Sequence, residues 1–404
     1  MSDHQTTPNM LNPNSPLHPV TELSGLTGIR FFAIFHIFFF HLAEVYRSKQ
    51  EPKFAGLLSD MASLPTGLQT FFANGWMSTS FFFLLSGFIL AYLYWGKDGE
   101  LSSTRNSFWL SRASRLYPIH IILAVLTALM MVPNQLMQGA NPFNIIAGTL
   151  ANFALVQAWN PDWVPLLSWP TWTISALVFL YLLMPFLMSQ LAKLSRKSSI
   201  VLLLCLPVLS LIPTVIYAQY FPSNSEPQQY WQIFISSTPL FWVAHFVAGM
   251  LLSRICNISR FNPAFKPTQR WWALGDLAFV GVIALMLTPD IPEPFKYYLR
   301  HGLMMPLYLI MIYDLAMGNG LVARLFSVPG MKFIGETGYS VFIWQNMVIV
   351  AMFISLMINA NAGKHHLLVG SISMVLLAIF STYVIEKPLS RRLRKKWLKT
   401  TTTD

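Results

Sequence analysis

GLTGIRFFAIFHIFFFHLAEV, from Gly25 to Val45, decides how the rest of the chain is read. A run of about twenty residues made mostly of Phe, Ile, Leu and Ala is the length of one helical bilayer crossing. Yet it carries Arg30, His36 and His41. Ionisable side chains at membrane depth are costly and usually face a bundle interior or an aqueous cavity. At about 100° per residue, the step from Arg30 to His41 is three turns plus roughly 20°, so the two share a helix face about 16 Å apart along the axis. His36 lies roughly 120° off that face and reads as a packing residue. A guanidinium and an imidazole on one stripe look like a site.

The composition extends that reading to the whole chain. Of 404 residues, 54% are hydrophobic and 11% are charged, against about 25% charged in a soluble domain. Mean hydropathy is +0.50. Separate apolar runs near twenty residues predict an all-α, polytopic transmembrane helical bundle; the short alternating segments of a β-barrel are absent. No polar stretch is long enough for a second domain. The net charge of +11 does not point to nucleic acid, because Lys and Arg gather in short loops and at the C-terminus, as the positive-inside rule expects. Cys205 and Cys256 give neither a disulfide framework nor a metal spacing; Cys205 reads as core and Cys256 as a helix end.

In chain order, residues 1–22 are Pro/Asn-rich, lack the pattern of a signal peptide and read as a disordered cytoplasmic tail. Spans are expected near Leu26–Tyr46 and Met77–Trp95, then a basic cytoplasmic loop with Lys97, Arg105, Arg112 and Arg115, then a span from Leu116 to about Pro133. NPFNIIAGTLANFALVQAW (Asn141–Trp159) is harder. The span Trp172–Leu191 ends at the basic Lys193–Lys197, so parity forbids a full crossing between Asn141 and Trp159. That stretch and the Pro/Trp-rich residues after it are expected to be interfacial or re-entrant and to line a cavity. Further spans are predicted near Ile200–Tyr217, Phe234–Ser253, Trp271–Thr288, Leu299–Met317, Ile334–Ile358 and Leu367–Ile385. The total is about ten, in one domain over 23–390, with a basic cytoplasmic tail over 391–404 and both termini inside.

Each candidate residue has a plainer competing role. Arg30 as a snorkelling anchor and His41 as a packing residue compete with His41 as a general base or transient acyl carrier and Arg30 as its partner. Arg112 and Arg115, at i and i+3, are either positive-inside anchors or a phosphate clamp. Ser86 sits in a Ser-Gly-Phe run where Gly87 permits close backbone approach. Trp172 heads a span and Gln345 is an intramembrane amide; both suit substrate contact or packing. His120 and His245 read as packing residues, Arg300 and His301 as anchors or acceptor contacts near the outer face, and Glu386 as a structural partner of a basic residue. There is no Walker loop, dinucleotide fingerprint, Gly-x-Ser-x-Gly elbow or Cys/His metal spacing.

Taken together, these residues resemble the acyltransferase 3 family of integral membrane O-acyltransferases over about Leu23 to Arg394. The resemblance rests on Arg30, ten residues, then His41; on Arg112-x-x-Arg115 followed by Leu116-Tyr117-Pro118; and, more weakly, on FFLLSGF, Trp-Thr-Ile-Ser from Trp172, Gly338-Tyr339-Ser340 and Glu386-Lys387-Pro388. It implies transfer of an acyl group, usually acetyl from acetyl-CoA, to a hydroxyl of a cell-envelope glycan or related acceptor. It also implies a bacterial inner-membrane location, with no bound cofactor and no metal. His41 would be the catalytic histidine with Arg30 beside it. Arg112 and Arg115 would hold the donor's phosphates, and Trp172, Ser86 and Gln345 would meet substrate. Two positions depart from many relatives: Leu177 stands where a Glu is common and Gln345 where a His is common. The competing classes are a transporter or exporter, since intramembrane charge also marks transport paths, and a non-catalytic sensor or partner subunit.

Overall fold

The computed structural model describes residues 23–48, 61–96, 99–220, 227–260, 262, 264–268, 270–358 and 365–400. The N-terminal tail predicted over 1–22 and most of the segment after the first span lie outside the described residues. Among those described, the chain is helical throughout, with a single isolated β-bridge between Trp95 and Leu101. Seven helices are long and apolar enough to cross a membrane, or up to nine if each of two bent pairs is one span, and Leu274–Met286 is a shorter apolar helix. The expected count of about ten agrees with these elements taken together. In a bilayer this follows from the need to satisfy every backbone N–H and C=O within its own segment.

Helix α1 (Ser24–Ser48) is the hub. It packs on α2 (Thr66–Ala73), α3 (Ser78–Tyr94), the bent pair Met305–Met317 and Gly320–Ser327, the short helix Pro329–Gly335, and Gly338–Ile358. Glycines make the closest approaches possible. A Cβ on Gly28 would lie 2.1 Å from the Phe326 carbonyl oxygen, and one on Gly87 would lie 2.0 Å from that of Phe246. Gly249 reciprocates: a Cβ there would lie 2.0 Å from the Leu84 oxygen. The expected close approach at Gly87 is therefore two-sided, between α3 and the helix Val243–Ile255. Lipid tails give helices little hydrophobic reason to associate, so such close packing supplies much of the adhesion.

Helix α4 (Arg105–Met137) begins well before the span read from hydropathy. Thr104 caps it, its hydroxyl accepting from the Ser107 N–H at 3.2 Å, so Arg112 and Arg115 lie inside a helix rather than in a loop. Helix α5 (Pro142–Ala154) is too short to cross and gives way to three brief 3₁₀ turns before α6 (Trp172–Ala192). That is the re-entrant or interfacial arrangement parity demanded. Cys205 departs from its expected core position: it is exposed on Arg196–Leu209, part of a peripheral span of which 22% is buried in the bundle. Hydropathy does not tell a lipid-facing residue from a core one. The last span continues through the π-helical turn Ser381–Glu386 into Lys387–Thr400, which packs against α4. Residues 391–400 thus extend a helix, and their basic charge gathers at the same end of the bundle as Arg112.

Candidate active site

Two cavities occupy the polar stripe of α1. The first, about 100 Å³, is lined by Arg30, Arg112, Arg115, Tyr181, Tyr339 and Ser86 among apolar residues that include Leu177, Phe82 and Phe342. Arg112 is half-buried and donates to the Tyr94 hydroxyl at 2.7 Å, with its guanidinium 5.2 Å from that ring's centroid. Arg115 is exposed. Among the described residues no carboxylate forms an ion pair with Arg30, Arg112 or Arg115. Leu177, where the resemblance leads to the expectation of a Glu, is apolar, so among the described residues the lining holds three guanidiniums and no acid. Glu386 lies behind it, buried and accepting from the Ser340 hydroxyl at 3.0 Å. Ser340 in turn accepts from Thr382 at 2.9 Å. Lys387, the neighbour of Glu386, bridges to Glu336 instead. There Lys387 holds the Glu336 carboxyl below its ordinary value of 4.5.

The second cavity, about 230 Å³, is lined by His41, Trp172, Thr173, Ser236, Tyr297 and Arg300, with Val164 and Trp169 from the Pro/Trp-rich segment. That segment lines a cavity, as its composition suggested. Phe342 lines both cavities, and its ring stacks on Phe82 with centroids 6.1 Å apart and planes 6° from parallel. A third and more polar cavity, about 390 Å³, adjoins the second and shares Phe40, Gln232, Tyr297 and Arg300 with it.

The structure therefore separates the expected residues by role. Arg30, Arg112, Arg115 and Ser86 share the first cavity, and His41 and Trp172 share the second. Ser86 is bound to its own helix, donating to the Phe82 carbonyl at 2.8 Å. Gln345 joins neither lining; it is fully buried and donates to the Phe342 carbonyl at 3.0 Å. His36 is held by Ser78 Oγ at 2.9 Å and the Phe71 carbonyl at 2.7 Å, and His120 by the Asn152 carbonyl at 2.8 Å; both are packing residues, as expected. Tyr181, Tyr339 and Tyr94 were not singled out by sequence. Tyr339 lies within the Gly-Tyr-Ser run, whereas Tyr181 is one of several aromatics in an apolar helix and carries no signal. Among the described residues no group of three or more His, Cys, Asp or Glu could hold a metal ion.

Chemically, unpaired guanidiniums in one pocket suit a polyanion, for which their forked N–H geometry gives bidentate bonds. An imidazole lining the next pocket can take a proton from a hydroxyl. Comparison with known proteins bears on this pairing. The family model for the acyltransferase domain of the acyltransferase 3 type matches residues 23–386. Acyltransferase MdmB of Streptomyces mycarofaciens is 28% identical over 170 residues, which is 41% of this chain and 39% of that protein's length. No solved structure matches.

Proposed function

The chain belongs to the acyltransferase 3 family, and from that premise we propose that it moves an acyl group, acetyl in the first instance, from acyl-CoA to a hydroxyl of a cell-envelope glycan in the bacterial inner membrane. One observation carries the proposal. Three guanidiniums, none in ion-pair contact with a carboxylate among the described residues, line one cavity, and it meets the His41 cavity at a shared wall, Phe342.

CoA is a polyanion too polar to cross a bilayer. Its phosphates fit Arg112 and Arg115, with Arg30 deeper along the same stripe. That cavity lies at the end of the bundle where Lys387–Thr400 packs, and clustered Lys and Arg favour the cytoplasmic face. The acyl end would point along α1 toward His41, while the acceptor enters from the side of Trp172 and Tyr297. His41 takes the acceptor's hydroxyl proton, or carries the acyl group in passing. Both routes use the same imidazole and the same two-sided geometry.

The test is acyl transfer from radiolabelled acetyl-CoA in membrane vesicles containing the envelope acceptor. Arg112→Gln with Arg115→Gln raises the KM for acetyl-CoA by about 10- to 100-fold, taking about 1.5–3 kcal/mol for hydrogen bonds to a charged group. An unchanged KM would remove the donor assignment. The two bent spans lend some support to a transporter, since broken helices mark many transport sites. The distinction is whether purified protein in detergent releases CoA from acetyl-CoA with no gradient present, which a transporter would not do.

A further inference from the structure

The π-helical turn Leu299–Leu303 sets Arg300 in the wall shared by the His41 cavity and the more polar cavity beyond it. π-Bulges recur at functional sites, where they re-aim a side chain. The Arg300 guanidinium lies 5.7 Å from the ring centroid of Trp172 and 5.5 Å from that of Trp242, and one of its terminal nitrogens donates to Ser236 Oγ at 3.1 Å. Among the described residues it has no carboxylate partner, and its buried Nε–H has no acceptor. Among the described residues it is the one arginine or lysine lining the His41 cavity, and no Asp or Glu lines that cavity. Glu44, Asp290 and Glu293 line the adjoining, more polar cavity, where Glu293 is already taken by Lys296 and Gln232.

Arg300 is half-buried, and a guanidinium drawn out of water without a counter-ion is costly. An anchoring arginine would gain from a carboxylate beside it, whereas one whose task is to meet a transient negative charge would have its field cancelled by a permanent one. Acyl transfer creates such a charge on the carbonyl oxygen. We infer that Arg300 is a catalytic residue whose guanidinium donates to that oxygen beside His41. The inference rests on the acyl-transfer reading. In the step, the acceptor oxygen bonds to the thioester carbonyl carbon as its proton passes to the His41 ring. The carbonyl π pair moves onto the oxygen facing Arg300. When the pair returns, the C–S bond breaks and the CoA sulfur takes the proton back from His41. The indoles hold the guanidinium plane by cation–π attraction, so little reorganisation accompanies the charge.

The experiment measures label transfer from radiolabelled acetyl-CoA by the full chain in vesicles containing the envelope acceptor. Arg300→Gln should lower kcat by about 10²–10³-fold, the loss typical of removing one oxyanion donor, with KM for acetyl-CoA unchanged. Arg300→Lys should recover part of the rate, and guanidinium ion should restore part of the activity of Arg300→Ala. Retained acetyl-CoA binding by Arg300→Gln excludes a folding defect. A wild-type kcat in Arg300→Gln overturns the inference, as does a loss carried by the acceptor's KM, which would make Arg300 an acceptor anchor. Absence of transfer by the wild-type chain would instead overturn the acyl-transfer reading beneath it.

Discussion

His36 and His41 stand five residues apart on one helix, and the bundle treats them differently. The His36 ring is closed off, with Ser78 and Phe71 occupying both nitrogens, while His41 lines a cavity that a substrate could fill. The difference follows from the helical angle: the face that includes position 41 points inward along the Arg30 stripe, and position 36 turns toward α2 and α3. His41→Ala is therefore expected to lower transfer by about 10²–10⁴-fold, the range for loss of a general base, or further if the ring is acylated. His36→Phe should leave the rate within about threefold and cost of order 1 kcal/mol, since hydrogen bonds between membrane helices average about 0.6 kcal/mol each. Label transfer and thermal unfolding of the two variants in the same detergent check the pair. Transfer retained in His41→Ala would remove that residue from the chemistry. Leu177 and Gln345 belong to this scale as well. Leu177 adds no acid to the lining of the Arg30 cavity, and the Gln345 amide donates to its own helix, so neither adds a second base.

At the scale of the element, the crossing of α3 with Val243–Ile255 has the least tolerance. Gly87 and Gly249 each lie against the other helix's backbone rather than against side chains that could yield. Gly87→Leu must push the helices apart, and α3 also carries Ser86, Phe82 and Thr79 to the cavities. It is expected to destabilise by about 3 kcal/mol, the upper end of the usual overpacking range, seen as lost monodispersity and a lower unfolding temperature. Gly87→Ala should show the same effect more weakly. The Ser-Gly-Phe run hinted at this contact, and hydropathy gave most spans, because both are local properties of the chain. Other features are not local. Hydropathy makes the start of α4 look like a loop because it records bilayer depth and not helicity, and its Thr104 cap lies among polar residues. Tyr181 and Tyr339 reach the Arg30 cavity by the way helices are rotated in the bundle, which an aromatic in an apolar run does not reveal. Arg300 was visible as a charge near a span end, but its freedom from any carboxylate is a property of the folded neighbourhood.

For the whole molecule, the consequential feature is that the Arg30 and His41 cavities, proposed to take donor and acceptor, are neighbours without being one open passage. Phe342 belongs to both walls, and its ring lies parallel to Phe82 on the donor side. A continuous aqueous channel would admit water to the thioester and ions to the membrane interior, so an acyltransferase working between two faces needs a barrier that yields to an acyl chain but not to bulk solvent. Two aromatic rings meet that need, because they exclude water and can swing aside as rotamers without breaking a hydrogen bond. If they act this way, opening the slit should uncouple donor cleavage from transfer. Phe82→Ala with Phe342→Ala is expected to keep acetyl-CoA binding, proposed to rest on Arg112 and Arg115, and to release CoA without a matching gain of acylated acceptor. The ratio of acceptor acylation to CoA release should fall roughly tenfold, equivalent to about 1.4 kcal/mol less discrimination against water. Measuring free thiol and labelled glycan in the same vesicles gives that ratio directly. If both products fall together, the rings are part of the packed core; if the ratio keeps its wild-type value at full rate, the acyl group reaches His41 by another route.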